Sequence, residues 1–143
     1  MPYRFLEDAP VADVGFVASG DSFAACVRAA ADATLAVMLG NPEGLQARQR
    51  RSLHVEAEAA DLALLKLLEE LIYYKDAESL FLRVTDVHAA EQAGQWIVDA
   101  VAEGETIDSA RHQLSADVKA VTMHRLDVRR TNGGWEATVV LDV

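Results

Sequence analysis

The segment from Asp61 to Lys75 is apolar around most of its circumference, and this limits the available folds more than any other feature. At helical spacing Leu62, Leu64, Leu65, Leu67, Leu68, Leu71, Ile72 and Tyr74 leave only a narrow polar wedge of Lys66, Glu69 and Glu70. A surface helix shows one apolar stripe, roughly 100° wide. An arc this broad must be covered on more than one side, by two sheets or by a sheet and another helix. Asp61 is the expected cap of this helix, which should run to about Lys75.

One further helix and several strands can supply that cover. Residues 3–8 read as a first strand, and Asp8 to Ala12, with Pro10, as a loop. Residues 13–19 alternate, with Val14, Phe16 and Ala18 on one face of a second strand. Asp21 or Ser22 should cap a helix to about Leu39, with Phe23, Val27, Ala30, Ala31, Leu35 and Met38 as its stripe. Gly40, Asn41 and Pro42 stop it, and 41–49 read as loop. Arg50 to Glu58 make a third strand, with Leu53, Val55 and Ala57 on one side. Leu80 to Glu91 and Gln95 to Glu103 should pair, residues 104–116 are irregular, and Asp117 to Arg130 and Gly134 to Val143 read as two long final strands.

Asn132-Gly133 between those last strands is the strongest hairpin signal in the chain. A two-residue turn there sets Val128 opposite Ala137, Leu126 opposite Val139 and Arg129 opposite Glu136, with Asp142 facing Met123. A turn at Gly133-Gly134 would set Asp142 opposite Arg125 instead. Both registers put Asp142 and Lys119 on the polar face. The expectation is a single α+β domain spanning residues 1–143.

At 143 residues and 51% hydrophobic the chain can bury one domain-sized core. No run approaches the ~20 apolar residues of a membrane span. Met1 to Asp8, with Arg4, Glu7 and Asp8, lacks the pattern of a signal peptide. Cys26 is the only cysteine, so no intrachain disulfide is possible and a cytoplasmic location is the default. The net charge is −10, from 13 basic and 23 acidic residues. A phosphate backbone would be repelled unless the basic residues were segregated, which argues against a long nucleic-acid footprint. Such a surface suits a basic protein partner or a divalent cation, or serves solubility alone. No P-loop, GxGxxG, CxxC, HExxH or nucleophile elbow occurs, which argues against nucleotide-cofactor and common hydrolase chemistry.

A few residues could carry chemistry. Asp142 lies one residue before Val143, so an ordered strand end would bring two carboxylates together, and hard divalent ions take such oxygen ligands. From spacing alone Asp142 reads rather as a residue solvating the strand end. Asp13 opens the second strand and is either a turn residue closing the Pro10 loop or a third oxygen ligand. Lys119 is one of three lysines and reads as a solvated strand residue with Asp117 as a surface partner. Arg111-His112 in the irregular segment could contact phosphate or a partner, or could simply structure the loop. His54, His88 and His124 fall in strand positions, lack metal-ligand spacing and read as core-edge residues, and Cys26 reads as a small buried hydrophobe.

Residues 108–124, DSARHQLSADVKAVTMH, closely resemble the signature of the archease family, in which an Asp and an Arg-His precede a Val-Lys-Ala-Val-Thr run ending in His. The ending WEATVVLDV is similar to the archease C-terminus. FLED, ADVGFVASGDSF and the helical LLKLLEELIYYKD look like the family's opening and helix. Two departures stand out. Asp8-Ala9-Pro10-Val11 replaces a His-Thr before Ala-Asp and is longer by two residues, and Leu114-Ser115-Ala116 replaces a Leu-Gly-Thr.

The resemblance implies two β layers flanking two main helices, an archease-like β/α/β sandwich. It implies a divalent-cation site from Asp13, Asp142 and the terminal carboxylate of Val143. Calcium is the occupant expected in a structure, and magnesium or manganese in function. It implies that Lys119 belongs to the surface that activates a ligase. The family promotes guanylylation and multiple turnover of the GTP-dependent ligase that joins 3′-phosphate and 5′-hydroxyl RNA ends in tRNA splicing. The chain would then be an accessory protein with no catalytic residues, associated with tRNA or other RNA only through the ligase. The alternatives are a metal-dependent phosphoesterase, which lacks an evident nucleophile or base, and a chaperone-like binding module, which needs an exposed apolar patch.

Overall fold

The computed structural model describes residues 2–8 and 12–143. Its elements are β1 (Tyr3–Leu6), β2 (Asp13–Gly20), α1 (Phe23–Met38), β3 (Gln49–Ala57), α2 (Ala60–Glu78), β4 (Leu80–Gln92), β5 (Gln95–Thr106), β6 (Ala120–Val121), β7 (Asp127–Thr131) and β8 (Gly134–Asp142). A short 3-10 turn at Pro42–Gly44 interrupts the loop after α1. The expected loop at Asp8–Ala12 lies largely outside the described residues.

The strands form two sheets. In one, β1, β2, β8 and β6 lie in that order and β7 also pairs with β8; in the other the order is β3-β5-β4. The two helices lie between them. α1 packs on β2 and β8 and reaches β4, while α2 packs on β3, β4 and β5 and also touches β6 and β7. This is the double cover that the broad apolar arc of α2 demands: Leu64, Leu67 and Leu68 are fully buried, and Leu71 and Ile72 nearly so. The chain is an α+β domain of two β layers with two helices, as expected.

The caps differ in how they form. The Ser22 side chain accepts from the Ala25 amide and starts α1. α2 begins at Ala60 behind Ala59, with no side-chain cap, and Asp61 accepts only from the adjacent Leu62 amide. The expected Asp61 cap is therefore corrected. α2 also runs on to Glu78, three residues past the expected end, and stops at Ser79 in the left-handed region (φ 50°).

The hairpin forms at Asn132-Gly133, with Gly133 at φ 91°. Val128 faces Ala137 and Arg129 faces Glu136, the latter pair joined by a 2.8 Å ion pair. The long strand expected over 117–130 does not form. It breaks into β6 and β7 around a turn at Met123–Arg125, where the Leu126 amide donates to the Met123 carbonyl and Arg125 sits at φ 60°. Asp142 therefore faces Ala120, not Met123 or Arg125. A slip of three residues is odd-numbered, so it reverses which side chains share a face.

Candidate functional site

β2 begins and β8 ends at the same place. There Asp13 and Asp142 are direct cross-strand partners, with Ala120 of β6 on the other side of Asp142. Alternation places both aspartates on the face of the sheet away from Phe16, Val139 and Leu141, which are fully buried in the core. Both are half-buried. Directly opposed side chains in an antiparallel pair have Cβ atoms about 4.5–5.5 Å apart, and like charges so placed are destabilising. The Val143 amide donates to the Ala12 carbonyl at 3.1 Å, which keeps that residue beside Asp13. The three residues expected to share a site are thus brought together.

The donor chemistry of this pair fits a hard cation. Two carboxylates with the small Ala120 beside them offer oxygen ligands. Among the described residues no group of three His, Cys, Asp or Glu side chains is gathered to hold a metal ion. An ion at this pair would therefore need further oxygen ligands.

Lys119 sits one residue outside β6. Its amide donates to the Asp142 carbonyl at 2.8 Å, so its backbone touches the aspartate's strand. Its position is out of phase with Ala120, the residue that shares the Asp142 face. Lys119 and Ala120 together border a hollow formed with Glu69, Ile72, Tyr73, Asp76 and Ala77 of α2. The expected sharing of a face by Lys119 and Asp142 is thus corrected, because the Met123–Arg125 turn takes up an odd number of residues.

The irregular segment 107–119 is a strap across this end of the molecule. The Ser115 and Ala116 amides donate to the Met38 and Val37 carbonyls, and the Gly40 amide donates to Gln113. The strap thereby satisfies carbonyls that the end of α1 leaves without helical partners. Its first half is organised by Glu105, which is 3% exposed. Glu105 accepts from the Gln46 amide at 2.7 Å, from Arg111 and from His112 Nε2 at 3.2 Å. His112 Nδ1 accepts from the Asp108 amide at 2.9 Å, which leaves the ring proton on Nε2, facing Glu105. Burial alone would raise the Glu105 carboxyl, but the Gln46 amide, His112 and Arg111 more than offset it and hold it below the ordinary value.

Arg111 and His112 thus behave as the loop-structuring pair. His112 is 4% exposed and packs edge-on against Phe81, so it does not face a phosphate in solvent. Asp117 does not pair with Lys119 as expected; it reaches Lys75 near the end of α2 at 2.5 Å, and Asp76 holds the same ammonium at 2.6 Å. The spacing of the sequence did not announce this pair; its one signal is that Lys75 follows Leu71 by four residues and Ile72 by three, and so falls on the apolar arc of α2. A half-open cavity of about 350 Å³ lies between this pair and Met38, Phe81, Ile107 and Leu114. Cys26 is fully buried, and burial, with Glu136, pushes its thiol up to about 11, leaving it inert. His54 and His88 lie on the exposed outer face of the smaller sheet, not at the core edge, and His124 is likewise exposed.

Residues 3–143 match the model of the Archease protein family. The chain is 29% identical over 142 residues to protein archease of Methanosarcina mazei, covering 99% of this chain and 95% of that one. To protein archease of Pyrococcus furiosus it is 31% identical over 133 residues, covering 92% and 93%. The solution structure of a Methanobacterium thermoautotrophicum protein superposes with a TM-score of 0.85 at 28% identity, covering 99% of both chains. An archease from Thermotoga maritima, there called a possible chaperone, shares the fold with a TM-score of 0.64 at 15% identity, covering 96% and 98%.

Proposed function

The chain belongs to the archease family, and from that premise we propose that it is the accessory activator of a GTP-dependent 3′-phosphate RNA ligase, acting through an acidic tip that holds a divalent cation. The observation that carries this reading is the direct opposition of Asp13 and Asp142 where β2 starts and β8 ends. A sheet gains nothing from two facing carboxylates, and a cation between them converts repulsion into binding. Asp13 and Asp142 would hold the ion, with the terminal carboxylate of Val143 as third donor; calcium, magnesium and manganese all suit such oxygens.

When bound, the ion supplies a fixed positive charge at the tip. The protein's own part is to present that charge at a rigid end of the sheet, with Lys119 nearby on the side of α2. The net charge of −10 favours contact with a protein over contact with RNA, so tRNA or other RNA would be met only through the ligase, in the cytoplasm. A guanylylation time course of the ligase, with and without this protein and with and without divalent cation, tests the reading. Equal guanylylation in all arms would refute it.

A further inference from the structure

We propose that Lys75 is a positioning residue, gripping Asp117 from inside the fold so that the segment carrying Lys119 is fixed against Asp142; its functional part rests on the reading of Lys119 as partner surface. Lys75 is 9% exposed, with its ammonium held between the more open carboxylates of Asp76 and Asp117. Burial pushes it down, but Asp117 and Asp76 more than offset that and hold it above the ordinary lysine value. An apolar side chain of similar length would fill the same space without a charge to satisfy, and ion pairs whose carboxylates lie as open to water as Asp76 and Asp117 add little to stability. Stability alone therefore gives a poor account of a lysine here.

The two carboxylates differ in what they add. Asp76 adjoins Lys75 in α2 and partners the charge locally. Asp117 arrives from 42 residues further along the chain and ties the strap to the helix. Three consecutive residues are then held at three points: Asp117 by Lys75, Val118 by complete burial in the core, and Lys119 by its amide bond to the Asp142 carbonyl. β6, which follows, has only two residues. So short a strand gives little ladder to hold the segment, and short edge elements open readily. The Lys75 grip does what the missing ladder does not.

The test compares Lys75→Met, Lys75→Arg and Asp117→Asn with wild type. Asp117 is 73% exposed at its side chain, so Asp117→Asn breaks the tie from the surface if Lys75→Met fails to fold. Amide hydrogen exchange at Lys119 should quicken about tenfold or more in Lys75→Met, the loss expected for a hydrogen bond to a charged group. Asp117→Asn should quicken it in the same direction. Exchange at Leu67 and Leu68 should not change, and Lys75→Arg should restore slow exchange at Lys119. The concentration giving half-maximal ligase stimulation should rise in step with exchange at Lys119. Unchanged exchange at Lys119 in both Lys75→Met and Asp117→Asn overturns the inference whatever the ligase does. Faster exchange with undiminished stimulation overturns its functional part. A wild type that stimulates nothing removes the activator reading, while exchange still decides whether Lys75 holds the segment.

Discussion

Lys119 and Asp142 meet through their backbones and diverge through their side-chain positions. The Lys119 amide donates to the Asp142 carbonyl at 2.8 Å, yet Ala120 is the residue opposite Asp142, and Lys119 borders α2. The aspartates and the lysine thus offer a ligand two neighbouring surfaces of one strand end, joined at Ala120, which faces Asp142 and also lines the hollow beside α2. This geometry suits a partner that wraps the tip better than a small molecule held at one point.

Lys119→Ala should leave stability within about ±0.5 kcal/mol, as surface changes usually do. It should sharply reduce stimulation of ligase guanylylation, and Lys119→Arg should rescue only in part, since a planar guanidinium does not replace a compact ammonium. A guanylylation time course beside thermal melts checks this. Full stimulation by Lys119→Ala would return the residue to the solvated surface.

Asp142→Asn should weaken calcium binding in titration calorimetry. Without calcium the same variant should melt at the wild-type temperature or above it, because opposed like charges cost about 0.2–1 kcal/mol. Asp13→Asn should behave alike. A clear loss of stability in calcium-free buffer would show that the carboxylates serve the fold, not an ion.

Glu105 gives the acid limb of stability a sign. Its carboxyl is held below the ordinary value of 4.5 in the fold. Its contribution is therefore complete above pH 4.5 and is lost as the pH falls through the lowered folded value. Glu105→Gln should lower the melting temperature at pH 7 and shrink the fall between pH 7 and pH 3. An unchanged pH profile would remove Glu105 from the account.

Gly104 tests the packing of the smaller sheet. A Cβ there would lie 1.7 Å from the Phe81 carbonyl oxygen and 3.0 Å from the Leu82 Cα, both backbone atoms that cannot swing away. Gly104→Ala should cost about 1–3 kcal/mol or more, as overpacking does. Denaturant unfolding measures this, and a cost below about 0.5 kcal/mol would mean that the strands part easily.

Much of the architecture is local in origin, and the sequence alone determines it. The apolar arc of α2 demands cover on two sides, Ser22 caps α1, and Asn132-Gly133 sets the hairpin register from Asp127 to Thr131. The facing of Asp13 and Asp142 is a different matter. Each looks like an ordinary strand-end acid, and the resemblance to archease, not the spacing, put them together. Only tertiary structure decided the face of Lys119, because Asp117 to Arg130 keeps enough alternation to pass for one strand. The turn at Met123–Arg125 has no glycine, proline or asparagine to announce it, and Arg125 takes the left-handed backbone that such residues usually supply. Strand pairing counts residues along both chains, so an unannounced turn of odd length reverses every face beyond it. The burial of Lys75 was likewise hidden, since its partner Asp117 is distant in sequence and only the closing of the strap onto α2 brings the two together.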